Sequence, residues 1–122
     1  MPDSSAATIS TEARALLQRC EAYLTDVLLP FWLERAPDPA HGGFLTYFDR
    51  RGKPTGETIK TFLMQIRMLY TMASAFRSGF GGARSLELAR AGAEFIMAHY
   101  WDAAHGGWNW IACTLVSRGI RS

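Results

Sequence analysis

Seven residues occur twice in this chain. Asp38-Pro39-Ala40-His41-Gly42-Gly43-Phe44 returns 64 positions later as Asp102-Ala103-Ala104-His105-Gly106-Gly107-Trp108, with five of the seven positions identical. A repeat of this length holds one helical hairpin plus a loop, and such units stack into arrays or close into toroids. Each copy follows a segment that ends in paired aromatics, Phe31-Trp32 and Tyr100-Trp101. The paired glycines suit left-handed or tight-turn positions, with the next aromatic pinned between helix ends. A toroid of six hairpins would need roughly six such repeats, and 122 residues hold fewer than two.

The segments between the loops are helical by periodicity. Leu16, Cys20, Tyr23, Val27 and Phe31 recur at three- and four-residue steps, with Glu12, Arg19 and Asp26 on the opposite side. This predicts an amphipathic helix over about 11–35, kinked near Pro30 and ended by Pro37 and Pro39. Residues 44–53 predict a short extended arm and a turn at Asp49–Lys53. A second helix is expected from about Glu57 to Arg77, closed by Gly79, Gly81 and Gly82. Its apolar face is Ile59, Phe62, Leu63, Ile66, Leu69, Tyr70, Ala73 and Phe76; the other carries Met64, Arg67, Thr71 and Ser74, with Gln65 and Met68 alongside. Between Thr61 and Phe76 the only charge is Arg67, which predicts burial on most sides. A third helix, about Ser85 to Tyr100, has Ser85 as N-cap and a charged stripe of Glu87, Arg90 and Glu94. Wet-faced, buried and wet-faced helices in that order are what outer and inner rings require.

Bulk properties exclude several classes. A net charge of +2, with Lys and Arg scattered, makes no nucleic-acid patch. No apolar run is long enough to span a membrane, and Met1–Thr11 has no secretory signal pattern. Cys20 and Cys113 form no C-x-x-C pair and predict unrelated reduced thiols in a cytoplasmic protein. Residues 1–10, rich in Ser, Ala and Thr, are expected to be a disordered lead, and 11–110 a partial barrel domain. After Trp108-Asn109-Trp110 the repeat calls for an Asp/Gly turn and another inner helix. Residues 111–122 do not follow that pattern and are expected to be an atypical tail, as in a truncated or frame-shifted product.

Pro30-Phe31-Trp32 through Phe44, Lys60 through Phe76 with its single Arg67, and His105-Gly106-Gly107-Trp108-Asn109-Trp110 together resemble the opening of N-acylglucosamine 2-epimerase family proteins. The likeness covers about residues 12–110, some first third of a family member. It implies an all-α (α/α)6 barrel and metal-independent epimerisation or aldose–ketose isomerisation of a reducing-end sugar through an enediolate. It implies a small-molecule sugar as partner, no cofactor, and a complete parent open to homodimerisation. The family's proton-transferring histidines lie in later hairpins and have no counterpart here, so the short chain is expected to be inactive. Only the arginine of the second helix carries over, onto Arg67, facing the sugar oxygen that becomes negative.

Arg67 suits that role because its charge is permanent and its donors can meet a developing oxyanion. The structural alternative is an ion pair with an acid of another hairpin, or snorkelling to solvent. Trp108 and Trp110, with Phe44, are candidates for stacking on sugar rings, against a role as core plugs beside Gly-Gly turns. His41 and His105, each three residues after an Asp, make a weak metal set; the Asp units shape the turns instead. His99 suits a cation or packed ring at a helix C-terminus. A glycosidase on a similar barrel would need two facing carboxylates, for which Asp49 and Glu57 are poor candidates. A non-catalytic helical-repeat binding module is the reading of a different class.

Overall fold

A computed structural model describes residues 4–113. Its elements in order are α1 (Ser4–Tyr23), a π-helical turn (Leu24–Leu28), α2 (Leu29–Arg35), β1 (Ile59–Thr61), α3 (Phe62–Arg77), α4 (Gly82–His99) and β2 (Ile111–Cys113). Residues 114–122 of the expected tail lie outside the described residues.

The first helix is continuous through Pro30. Proline has no N–H to give the carbonyl of Asp26, so the ladder widens ahead of it and the Leu29 amide bonds instead to the Leu24 carbonyl, five residues back. Helix begins at Ser4, within the lead expected to be disordered. The apolar stripe expected to be buried is open: Leu16, Leu17, Tyr23 and Val27 are all about half exposed, and among the described residues α1 packs chiefly on its own continuation.

The second helix starts later than its periodicity predicts. Ile59–Thr61 is extended and pairs antiparallel with Ile111–Cys113, Lys60 standing opposite Ala112. Thr61 then caps α3, its hydroxyl accepting the Met64 amide at 3.3 Å. The buried side of α3 is Gln65, Met68, Met72 and Ala75. Leu63, Ile66, Tyr70 and Phe76, expected to be buried, are exposed, because α4 and the first Gly-Gly loop pack on the opposite side. The third helix starts at Gly82 rather than at a Ser85 cap; Ser85 is buried inside its first turn and its hydroxyl donates to the Gly82 carbonyl.

The core is the α3–α4 hairpin closed by the first loop. Ala36, Phe44, Met68, Met72, Leu88 and Ala89 form one cluster, flanked by Trp32, Leu33, Met64 and Leu69. Phe95, Ile96 and Tyr100 form a second, flanked by Phe62 and by Leu69, which touches both clusters. Gly92 makes room for this arrangement, since a Cβ there would stand 2.8 Å from the Phe44 ring. The arm after the loop turns at Asp49, whose carboxylate accepts the Arg51 and Lys53 amides. That turn is tied back to α2 by Arg35, which donates to the Gly52 carbonyl at 2.9 Å.

Candidate functional site

The entry to α3 gathers the polar groups of this chain. Strand alternation on β1 sends Ile59 outward and Lys60 inward, leaving Lys60 only 1% exposed. A buried ammonium needs partners, and this one has three. It donates to Asp38 Oδ2 at 2.6 Å and to the Gly42 carbonyl at 2.7 Å, and lies 5.3 Å from the Phe95 ring centroid. The Lys60 carbonyl accepts the Tyr100 hydroxyl at 2.8 Å, and burial pushes that phenol up to about 12, so it remains a donor. One turn into α3, Gln65 grips the same loop from the other side. Its Oε1 accepts the Phe44 amide at 2.8 Å and its Nε2 donates to the Phe44 carbonyl at 2.7 Å.

Asp38 is the loop's organiser. Its Oδ1 accepts the Ala40 and His41 amides, the turn-shaping role its position suggests. Burial raises its carboxyl, but the hydrogen bond and charge of Lys60, with the two amides, outweigh burial and hold it below its ordinary 3.8.

The second copy of the motif forms the same backbone. Asp102 Oδ1 accepts the Ala104 and His105 amides, as Asp38 does in the first, and Trp101 bridges Trp108 as Pro37 bridges Phe44. Beyond it the chain turns onto the start of α3, where the Phe62 amide donates to the Trp110 carbonyl at 2.8 Å.

Trp108 and Trp110 lie at the start of α3, whereas Arg67 stands further along the helix and the three side chains form no cluster. Arg67 is exposed on α3, and among the described residues no carboxylate pairs with it. Its carbonyl accepts the Thr71 hydroxyl at 2.9 Å. Trp108 stacks on Phe62, centroids 5.1 Å apart, and meets Trp101 edge-on at 5.0 Å. Phe62 and Arg67 are five positions apart, about 140° round the helix, so this stack faces away from the guanidinium. Trp110 is 60% exposed. Phe44, 2% exposed, is a core plug. His99 packs its ring 4.4 Å from that of Phe95.

Other chemistries find less support. Among the described residues no three of His, Cys, Asp and Glu converge. Asp49 holds its own turn, and Glu57 Oε1 accepts the amides of Thr58 and Ile59, so neither stands free to face the other. Among the described residues no helix is long and apolar enough to cross a membrane. Sequence reasoning missed Lys60 and Gln65. A lysine just ahead of a nearly charge-free helix, and a glutamine amid its methionines, were the available signals.

Comparison with known proteins gives a consistent picture. The sequence model for N-acylglucosamine 2-epimerase (GlcNAc 2-epimerase) matches residues 42–117. The chain is 28% identical over 95 residues to the cellobiose 2-epimerase of Bacteroides fragilis, covering 78% of this chain and 24% of that protein. It is 34% identical over 76 residues to the N-acylglucosamine 2-epimerase of Mus musculus, covering 61% of this chain and 18% of that protein. The solved structure of cellobiose 2-epimerase from Spirochaeta thermophila superposes with a TM-score of 0.78 at 32% identity, over 88% of this chain and 26% of that one. The chain thus spans about a quarter or less of the length of these relatives. Its helices form the opening hairpins of an (α/α)6 barrel.

Proposed function

This chain belongs to the N-acylglucosamine 2-epimerase family, and from that premise we propose that it supplies the opening hairpins of a carbohydrate 2-epimerase or aldose–ketose isomerase. The observation that carries the proposal is Arg67: an exposed guanidinium, unpaired among the described residues, on a helix with no other charge before its final turn. A reducing-end sugar in its open-chain form loses the C2 hydrogen as a proton. The bonding electrons move into the C1–C2 bond and the carbonyl oxygen becomes negative. Arg67 donates to that oxygen, a permanent cation worth most where charge develops. Return of the proton to the opposite face of C2 gives the epimer; return to C1, with the O2 hydroxyl proton passing to O1, gives the ketose. Trp108 and Trp110, gathered at the start of the same helix, are proposed to bound the sugar site, Trp110 with the freer ring.

The groups that move the proton are assigned to hairpins beyond this stretch, in the three quarters of the relatives that the chain does not span. Taken alone it is proposed to be inactive, cytoplasmic, and free of nucleic-acid and membrane partners, with homodimerisation a property of the whole barrel. The test is exchange of the C2 hydrogen of an aldose for deuterium from solvent, catalysed by a protein that joins this chain to the remaining hairpins. Arg67→Ala is expected to lower the exchange rate about 100-fold or more, and Arg67→Lys to recover only part. Unchanged exchange in Arg67→Ala would remove Arg67 from the site.

A further inference from the structure

The buried face of α3 is Gln65, Met68, Met72 and Ala75, with Met64 beside it. Methionine is unbranched and turns about three bonds, so a seam built from it excludes water but specifies the rotation of a helix only weakly. Gln65 supplies what the seam lacks. It is wholly buried, accepts the Phe44 amide at 2.8 Å and donates to the Phe44 carbonyl at 2.7 Å. Two directional bonds to one backbone unit hold the helix at a single angle to the loop. A Cβ on Gly43 would stand 2.9 Å from Gln65 Oε1, so the loop closes directly on this amide. The ties from Lys60 to the Gly42 carbonyl and from the Tyr100 hydroxyl to the Lys60 carbonyl act earlier, on β1 before the first turn.

Arg67 follows Gln65 by two positions, about 200° round the helix, and is exposed. Whatever holds Gln65 against the loop therefore decides where the guanidinium points. A group carried roughly 6 Å from the helix axis moves about 1 Å for each 10° of rotation. A misplacement of about 1 Å at a reacting centre costs on the order of 100-fold in rate. We propose that Gln65 is a positioning residue for Arg67: its paired bonds to Phe44 set the rotation of α3, and through it the aim of the guanidinium at the sugar oxygen. The proposal rests on the reading of Arg67 given above. Gln65 itself is buried on the other side of the helix and acts only through it.

The test is a double-mutant cycle on C2 exchange, in the protein that joins this chain to the remaining hairpins. Gln65→Met keeps the approximate length and volume of the side chain and removes both bonds. It is expected to lower kcat about tenfold or more with KM changed less than about twofold, because the Arg67 contact strengthens as charge develops. In an Arg67→Ala background the same substitution should cost nothing further, since no guanidinium is left to aim. Met72→Ala opens the same seam without touching the loop. It should lower the melting temperature and leave kcat near the wild-type value. In the 122-residue chain, the Met68 and Met72 methyl NMR signals should be single in wild type and broaden or multiply in Gln65→Met. Gln65→Ala leaves room for water to pair with the freed Phe44 groups, and repeats the cycle where the methionine variant does not fold. Unchanged kcat in Gln65→Met, a loss undiminished in the Arg67→Ala background, an equal loss in Met72→Ala, or methyl signals that stay single would each overturn the positioning role alone. Full exchange in Arg67→Ala would instead remove the reading on which the proposal stands, and the proposal with it.

Discussion

Lys60 and Asp38 show what a single residue contributes here. Lys60 is buried and Asp38 only partly so, and removing the carboxylate costs about 3 kcal/mol because a buried ammonium is left stranded. The pH dependence follows from the carboxyl. Its folded pKa lies below the ordinary 3.8, so the unfolded chain takes up the proton first as pH falls. The stabilisation is thus complete well above pH 3.8 and is lost as pH drops below it. The expected outcome is a melting temperature, followed by circular dichroism, that is flat from pH 7 to 5 and falls below about pH 4. In Lys60→Met the melt should be lower at pH 7 and this part of the acid dependence should shrink. An identical acid limb in wild type and Lys60→Met would show that the pair does not set it. Little of this was legible beforehand: Asp38 could be read as a turn former from its Asp-x-Ala-His context, but nothing local says that a lysine 22 positions on folds back upon it.

At the scale of elements, the Gly-Gly loop and the α3–α4 hairpin hold one another, and the two loop copies supply a built-in control. Gly43 has φ +69° and a Cβ there would stand 2.6 Å from the Phe95 ring, whereas Gly107 has φ +106° and open space around it. Both positions penalise an L side chain through the backbone, by about 1 kcal/mol or more. Only Gly43 adds a collision with a core ring, worth a further 1–3 kcal/mol or so. Gly43→Ala should therefore lower the urea midpoint clearly and Gly107→Ala only slightly; equal losses would show that backbone conformation alone decides. The repeat itself was plain in the sequence because its residues are fixed by turn chemistry, which is local. The boundary between β1 and α3 was hidden because it depends on pairing with residues 111–113, about 50 positions away. The rotation of α3 was misjudged for a similar reason. Gln65 faces inward because it satisfies the Phe44 backbone, and an alternation of apolar residues cannot report that.

At the scale of the molecule, the described residues hold a cationic group for the proposed reaction and no base placed beside it. All three histidines are committed elsewhere. His41 and His105 lie against the carboxylates of their own loops, and His99 lies against Phe95 near the end of α4. The carboxylates nearest the start of α3 are likewise engaged, Asp38 by Lys60 and Glu57 by its neighbours' amides. Removing a proton from carbon requires a base within hydrogen-bond reach of it, and electrostatic help from Arg67 has nothing to act on until that proton moves. The side of α3 opposite its core-packed residues adds a second reason: Leu63, Ile66 and Tyr70 are exposed there, so the wall that would exclude water is unformed. The 122-residue chain incubated with reducing-end aldoses in D2O should therefore show no deuterium at C2 above the buffer background by NMR. The same sugars should exchange when the chain is joined to the hairpins of a complete barrel. Exchange by the short chain, abolished by changing one of its three histidines, would place a working base within these first hairpins and overturn the assignment of proton transfer to later ones.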